Sequence, residues 1–246
     1  IAEAVEIEVR IDSDAAPGER EFRIGTPRGL TNPVVFHVGT LPEFSEHEPN
    51  DYRTSRQPDF ETPCVLDGRV SFKDLDRFRF RARRGQKLVI DTQARRLVPY
   101  VADAVPGWFQ ATLTLYDSAG KEVSFVDDYR FDPDPVVFFE VPADGEYVLE
   151  IRDAIYRGRD DFVYRITIAE RPFITSIFPL GGQVGSPTVA RVAGWNLPWK
   201  EVLLDTWTGF DRTQCSAWGS GDSWSNSITY AVDELPDLIE TPGQAQ

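Results

Sequence analysis

The feature that most constrains this chain is an alternation of period two. Val5, Ile7, Val9 and Ile11 are separated by Glu6, Glu8 and Arg10. Phe78 and Phe80 stand between Arg77, Arg79 and Arg81. Tyr147, Leu149 and Ile151 alternate with Val148, Glu150 and Arg152, and Tyr164, Ile166 and Ile168 with Arg165, Thr167 and Ala169. Successive side chains of a strand point to opposite faces, so each run predicts a half-buried strand. Leu88–Thr92, Ala111–Tyr116 and Val136–Val141 predict further strands, with turn signals at Asp67-Gly68, Arg84-Gly85, Ala119-Gly120 and Asp144-Gly145. Gly and Pro, 18 of each in 246 residues, punctuate the chain too often for long helices. The expectation is an all-β fold built from antiparallel sandwiches.

Charge narrows the function classes. The net charge is −14 and the isoelectric point near 4.6. Nucleic-acid binding relies on Lys and Arg neutralising phosphates, so it is not expected, and a cation is the more natural small partner. No run of 18 apolar residues is present, so no direct membrane insertion is expected. The chain starts at Ile1 and contains no Met, which reads as a processed or excerpted segment. Cys64 and Cys215 form no CxxC, so a thiolate zinc site is excluded. Two buried thiols are expected in preference to a disulfide.

An internal repeat sets the domain organisation. Residues 25–43, GTPRGLTNPVVFHVGTLPE, recur as residues 219–237, GSGDSWSNSITYAVDELPD, at a constant offset of 194. Gly25, Asn32, Phe36, Val38, Leu41, Pro42, Glu43 and Glu46 align with Gly219, Asn226, Tyr230, Val232, Leu235, Pro236, Asp237 and Glu240. The boundaries that follow are 1–42, the closing part of one module; 43–170, a second kind of module; 171–235, a further copy of the first kind; and 236–246, a linker or the start of another repeat. Residues 1–40 then lack part of their own sheet, so their edge needs another cover.

One polar cluster stands out. Glu46-His47-Glu48-Pro49-Asn50-Asp51 is followed by Asp74-Leu75-Asp76. Glu46, Glu48 and Asn50 share one side of an extended segment, as do Asp74 and Asp76. An all-oxygen set of this kind suits a hard cation such as calcium. The alternative is a solvated acidic linker. His47 points away from the Glu pair.

These residues also carry a resemblance. Glu46–Asp51, the Asp74-Asp76-Phe78-Phe80 strand, Gly85–Asp91, Leu113–Gly120, Asp127-Asp128, Pro142–Leu149 and Tyr164–Ile168 resemble, in order, the motifs of the bacterial pre-peptidase C-terminal (PPC) domain. The resemblance implies a non-catalytic, jelly-roll-like β-sandwich of secreted or surface proteins. Related collagen-binding modules hold calcium through the equivalent segments. By position, the ligands implied are Glu46, Glu48, Asn50, Asp51, Asp74 and Asp76. Residues 95–109 look longer than the usual connection. Pro172–Pro179, Gly181-Gly182, Gly185 and Gly194–Leu197 resemble the opening of immunoglobulin-like IPT/TIG modules, and residues 14–29 their closing half. The combination resembles large surface proteins of planctomycete-type bacteria.

Three function classes can be weighed. For an enzyme there are only two histidines, His37 and His47, and no G-x-S-x-G elbow or phosphate loop, so none is expected. For a carbohydrate- or peptide-binding accessory module there are Tyr100, Trp108 and Phe109, and a crowd of tryptophans at 195, 199, 207, 218 and 224, most of them expected to pack a core or seam. The preferred reading is a structural or assembly module of a repeat-containing bacterial surface protein, extracellular or periplasmic. Its partners would be neighbouring modules or other surface proteins, and calcium would stiffen the hinge beside Glu46–Asp51. The Arg77, Arg79, Arg81, Arg83 and Arg84 stripe is expected to meet carboxylates such as Glu150 or Asp91.

Overall fold

A computed structural model describes residues 5–51, 58–98, 108–207, 213–220, 223–236 and 238. Every regular element among them is a strand. At the N-terminal side, β1 (Gly18–Phe22), β2 (Gly25–Thr26), β3 (Gly29–Leu30) and β4 (Val34–Val38) form two small ribbons, β1 with β4 and β2 with β3. The central unit comprises β5 (Glu43–Ser45), β6 (Phe60–Glu61), β7 (Cys64–Arg69), β8 (Asp76–Ala82), β9 (Lys87–Gln93), β10 (Ala111–Tyr116), β11 (Glu122–Val126), β12 (Val136–Glu140), β13 (Gly145–Asp153) and β14 (Val163–Ala169). They make two five-stranded sheets, ordered β11-β10-β13-β8-β6 and β12-β9-β14-β7-β5.

The period-two reading explains why these sheets face each other. Along β8, Phe78 and Phe80 are buried while Arg79 and Arg81 are exposed. Leu113, Leu115, Leu149, Ile151, Ile166 and Ile168 add their inward sides to the same core. Each such side chain contributes about 1.5–3 kcal/mol on burial. The antiparallel expectation needs correction in this unit. β5 pairs with β7, and β6 with β8, in parallel. The chain passes from one sheet to the other between β5 and β6 and again between β6 and β7. Consecutive strands therefore never meet as hairpins there.

The outward arginines find carboxylates. Arg77 lies 2.6 Å from Glu150, and Arg81 3.3 Å from Glu146. Asp91 is not part of this set. It belongs to the opposite sheet and pairs with Arg96 and Arg171.

Downstream, β15 (Phe173–Phe178), β16 (Gly181–Gln183), β17 (Thr188–Trp195), β18 (Glu201–Leu204), β19 (Thr213–Ser216), β20 (Gly219–Ser220), β21 (Ser223–Trp224) and β22 (Ile228–Asp233) form sheets ordered β15-β17-β18 and β16-β22-β19, plus the β20-β21 hairpin. Ile174, Ile177, Ala190, Val202, Leu204, Tyr230 and Val232 fill the space between the two sheets. Trp199 and Trp218 pack against them, while Trp207 and Trp224 are exposed.

β9 is buried on both faces because this unit docks on it. Leu88 and Ile90 face the sandwich core. Val89 faces a seam with Val136 and Phe173, closed by Tyr129, Phe138 and Trp195. Phe138 stacks on Trp195 at 5.3 Å. The Asn196 amide donates to the Lys87 carbonyl at 2.7 Å, and the Lys87 N–H donates to Glu170 at 2.9 Å.

Three further expectations change. Residues 5–11 form no strand, and Val5 and Ile11 are 64% and 50% exposed. Alternation prepares a strand face, but a strand also needs a neighbour to receive its main-chain hydrogen bonds, and no described segment supplies one. Asp67-Gly68 lies inside β7 and is not a turn. Cys64 and Cys215 are both free; Cys64 is buried, but Cys215 is exposed on the outer side of β19. Tyr100 and most of the long 95–109 connection lie outside the described residues.

The seam generates a prediction. Phe173→Ala removes its central ring and is expected to cost about 3–5 kcal/mol. Denaturant unfolding followed by tryptophan fluorescence measures this, since Trp195 lies in the same seam.

Candidate metal centre

Glu46 and Glu48 leave the end of β5 on the connection toward β6, and Asp76 opens β8. One carboxylate oxygen from each of the three lies within 4.8 Å of the others. Asn50, two positions beyond Glu48 on the same connection, is fully buried. Its side-chain oxygen faces only acceptors. Turned over, its nitrogen donates to Glu48 Oε2 at 3.2 Å and Asp76 Oδ1 at 3.1 Å. Its main chain is tied down as well, since the Arg77 N–H donates to the Asn50 carbonyl at 3.0 Å. The Asn50 N–H in turn donates to Glu48 Oε2 at 3.0 Å.

Tyr164 closes the floor from β14. Its hydroxyl donates to Asp76 Oδ2 at 2.6 Å, and its oxygen lies 3.2 Å from Glu46 Oε2. One hydroxyl proton cannot serve two carboxylates, so the second needs a proton or a cation. Gly68 makes this approach feasible. A Cβ there would sit 2.2 Å from the Tyr164 hydroxyl and 2.5 Å from Glu46 Oε2. Neither Tyr164 nor Gly68 stood out from sequence. The period-two pattern marked Tyr164 only as core, and Asp67-Gly68 read as a turn.

Asp74 sits beside the group. The Ser71 and Leu75 N–H groups donate to its carboxylate at 3.3 and 2.9 Å, and it contacts Glu48. Asp51 does not join: it is half-buried and its carboxylate lies outside the triad. His47 is exposed, with Nδ1 3.0 Å from the Ser45 carbonyl. The cluster is also not at a hinge, because β5 is already part of the central sheet.

The electrostatics follow from crowding. Burial pushes Asp76 up to about 9; the carboxylates of Glu46, Asp74 and Glu48 add to this and the Tyr164 hydroxyl opposes it. Partial desolvation and contact with Asp74 push Glu48 up to about 7. Burial also raises Glu46, against hydrogen bonds from the Arg69 N–H and Tyr164. Burial and the two facing carboxylates hold Tyr164 well above its ordinary value. Three carboxylates with oxygens within 4.8 Å of one another form an all-oxygen donor set that fits calcium.

No protein-family model matches the chain. It is 34% identical over 99 residues to a probable subtilase-type serine protease of Deinococcus radiodurans. That likeness takes in 36% of this chain and spans 12% of the protease. Among solved structures, it is similar to the pre-peptidase C-terminal domain of collagenase from Bacillus anthracis, with a TM-score of 0.35 and 11% identity over 48% of this chain and 99% of that one. It is also similar to PliG of Salmonella Typhimurium, a periplasmic inhibitor of g-type lysozyme, with a TM-score of 0.27 and 18% identity over 52% and 99%.

Two predictions follow from the geometry. An acid whose pKa is higher folded than unfolded stabilises the fold fully below its unfolded value and loses that contribution as pH rises through the folded one. Glu48 moves from 4.5 to about 7 and Asp76 from 3.8 to about 9. In chelator, the melting midpoint should therefore fall as pH rises from about 5 to about 9. A flat or rising profile contradicts this electrostatic account. Gly68→Ala should cost about 1–3 kcal/mol by forcing Tyr164 off Asp76, and denaturant midpoints measure it.

Proposed function

We propose that this chain is a non-catalytic structural module of a larger extracellular or surface protein, whose central sandwich is clamped at one end by a bound calcium ion. The observation that carries this reading is the convergence of Glu46, Glu48 and Asp76 with the buried Asn50 amide. These groups come from the β5–β6 connection and from β8, while Tyr164 comes from β14. A cation held among them would tie the edge of one sheet to the other, where neither is joined by a hairpin. Asp74, beside Glu48, would act through its contact with that carboxylate.

The likeness to part of a probable subtilase-type protease supports an accessory role and an extracellular setting. Neighbouring modules of the same polypeptide are the natural partners. The acidic balance, −14 overall, argues against nucleic acid. No helix among the described residues is long and apolar enough to cross a membrane. The IPT/TIG and planctomycete-type resemblances of the flanks belong to this reading and rest on their sequence motifs.

A second reading, a carbohydrate- or peptide-binding accessory module, is favoured by one cleft. Phe72, Trp108, Tyr156, Arg157, Arg159 and Phe162 line a volume of about 370 Å³, and Phe72 and Tyr156 are largely exposed. The Arg159 guanidinium lies 4.6 Å over the Trp108 ring.

Thermal unfolding decides the ion question. Calcium at about a hundred times its dissociation constant stabilises by about 2.7 kcal/mol, a midpoint rise of roughly 5–10 °C for a domain of this size. The parent chain should show that rise over chelator, and Glu48→Gln with Asp76→Asn should abolish it. No rise in the parent, or an equal rise in the variant, sinks the ion clamp.

A further inference from the structure

The N-terminal ribbon copies part of the C-terminal unit residue for residue. β19 and β22 pair Thr213 with Ala231, Gln214 with Tyr230, Cys215 with Thr229 and Ser216 with Ile228. β1 and β4 pair Glu19 with His37, Arg20 with Phe36, Glu21 with Val35 and Phe22 with Val34. Every residue of the first set follows its counterpart by 194 positions. The β20–β21 hairpin, Gly219 with Trp224 and Ser220 with Ser223, follows the β2–β3 hairpin, Gly25 with Leu30 and Thr26 with Gly29, by the same number. Further upstream, Glu8-Val9-Arg10-Ile11-Asp12 lines up with Glu201-Val202-Leu203-Leu204-Asp205, one position out of that offset.

The two copies differ in what covers them. In the C-terminal unit, β18 pairs with β17 and β22 pairs with β16. Val202, Leu204, Tyr230 and Val232 are buried with Ile174, Ile177 and Ala190. The Asn226 amide grips β15, accepting from the Ile174 N–H at 2.6 Å and donating to the Ile174 carbonyl at 3.0 Å. In the N-terminal copy, Val9 and Ile11 are exposed, Val34 is 52% exposed, and Phe36 and Val38 are only half-buried. Among the described residues β4 pairs only with β1. Asn32, the counterpart of Asn226, makes no side-chain hydrogen bond among the described residues.

We propose that residues 8–38 are the acceptor half of a β-sandwich, completed by a strand set of the kind formed by Phe173–Trp195 and delivered from the upstream side of Glu8. The chain itself states the chemistry of that partner. Its first strand presents apolar residues like Ile174 and Ile177 to Phe36 and Val38, and its main chain to the Asn32 amide. Its second strand adds in parallel to the free edge of β4 at His37 and Val38, the counterparts of Ala231 and Val232. That strand carries adjacent glycines. A Cβ at Gly181 would lie 2.3 Å from the Ala231 carbonyl oxygen, and one at Gly182 2.3 Å from Thr188 Oγ1. Its third strand pairs with residues 8–11, as β17 does with β18. Delivery from upstream follows from the short connection 196–200 between those two strands. This inference does not rest on the ion clamp.

The test extends the full chain. A second copy of residues 171–200 is joined directly ahead of Glu8, and amide hydrogen exchange is followed by mass spectrometry in the extended and original chains. Exchange at residues 8–11 and 34–38 should slow by about tenfold or more in the extended chain. Replacing the copied Gly181 and Gly182 by valine in the added segment should remove that protection. Asn32→Ala should reduce it in the extended chain and leave the original chain unchanged. Exchange at Leu88–Ile90 checks in every variant that the central sandwich is intact. The proposal is overturned if the extension leaves residues 8–11 and 34–38 unprotected while the sandwich stays folded. It is also overturned if the valine variant protects equally, or if the original chain already protects those residues by pairing with a second copy.

Discussion

The hydrogen bond from Tyr164 to Asp76, 2.6 Å long and fully buried, is the interaction on which this end of the sandwich depends. A carboxylate with no exposure is costly unless its charge is met or removed. Asp76 opens β8, the strand that carries Phe78 and Phe80 into the core. Whatever satisfies its carboxylate therefore also fixes where the core begins. The hydroxyl meets one oxygen, and Glu46, Glu48 and Asn50 crowd the other side. The arrangement has two self-consistent states. In one, protons neutralise the acids and the Asn50 nitrogen turns inward. In the other, the one proposed for this module, a cation would be held by the three carboxylates and the Asn50 oxygen.

That choice matters because of the topology around it. β5 and β6 are short edge strands in different sheets, each paired in parallel to a longer neighbour. Parallel pairs are not closed by a hairpin, so the described start of the β5–β6 connection is held by single main-chain bonds, Glu46 to Asp67 and Arg77 to Asn50, and by its own side chains. The polar cluster lies on that connection. On the outer face of β9 and β12 the solution is apolar. Phe138, Phe173 and Trp195 seal the seam, and Asn196 ties it to the Lys87 carbonyl.

Much of the fold was legible in the sequence because a half-buried strand imprints its two faces on alternate residues. The runs at 78–80, 147–151 and 164–168 became β8, β13 and β14 with their apolar sides inward. The same alternation at 5–11 produced no strand, since a pattern records a face and not the neighbour that must cover it. Of the acidic positions that stood out by composition, Glu46, Glu48 and Asp76 do converge. The roles of Tyr164 and Gly68 were hidden. The first depends on a contact between β14 and β8, far apart in sequence. The second depends on the space that a missing Cβ leaves, which a dipeptide reading takes for a turn.

Terbium luminescence tests the central claim most directly, because Tyr164 lies against the carboxylates and can pass excitation energy to an ion held there. Tyrosine-excited terbium emission should saturate at one ion per chain, be displaced by calcium, and vanish in Asp76→Asn with the fold retained. Emission that calcium does not displace, or that Asp76→Asn leaves unchanged, would contradict an ion held by Glu46, Glu48, Asn50 and Asp76.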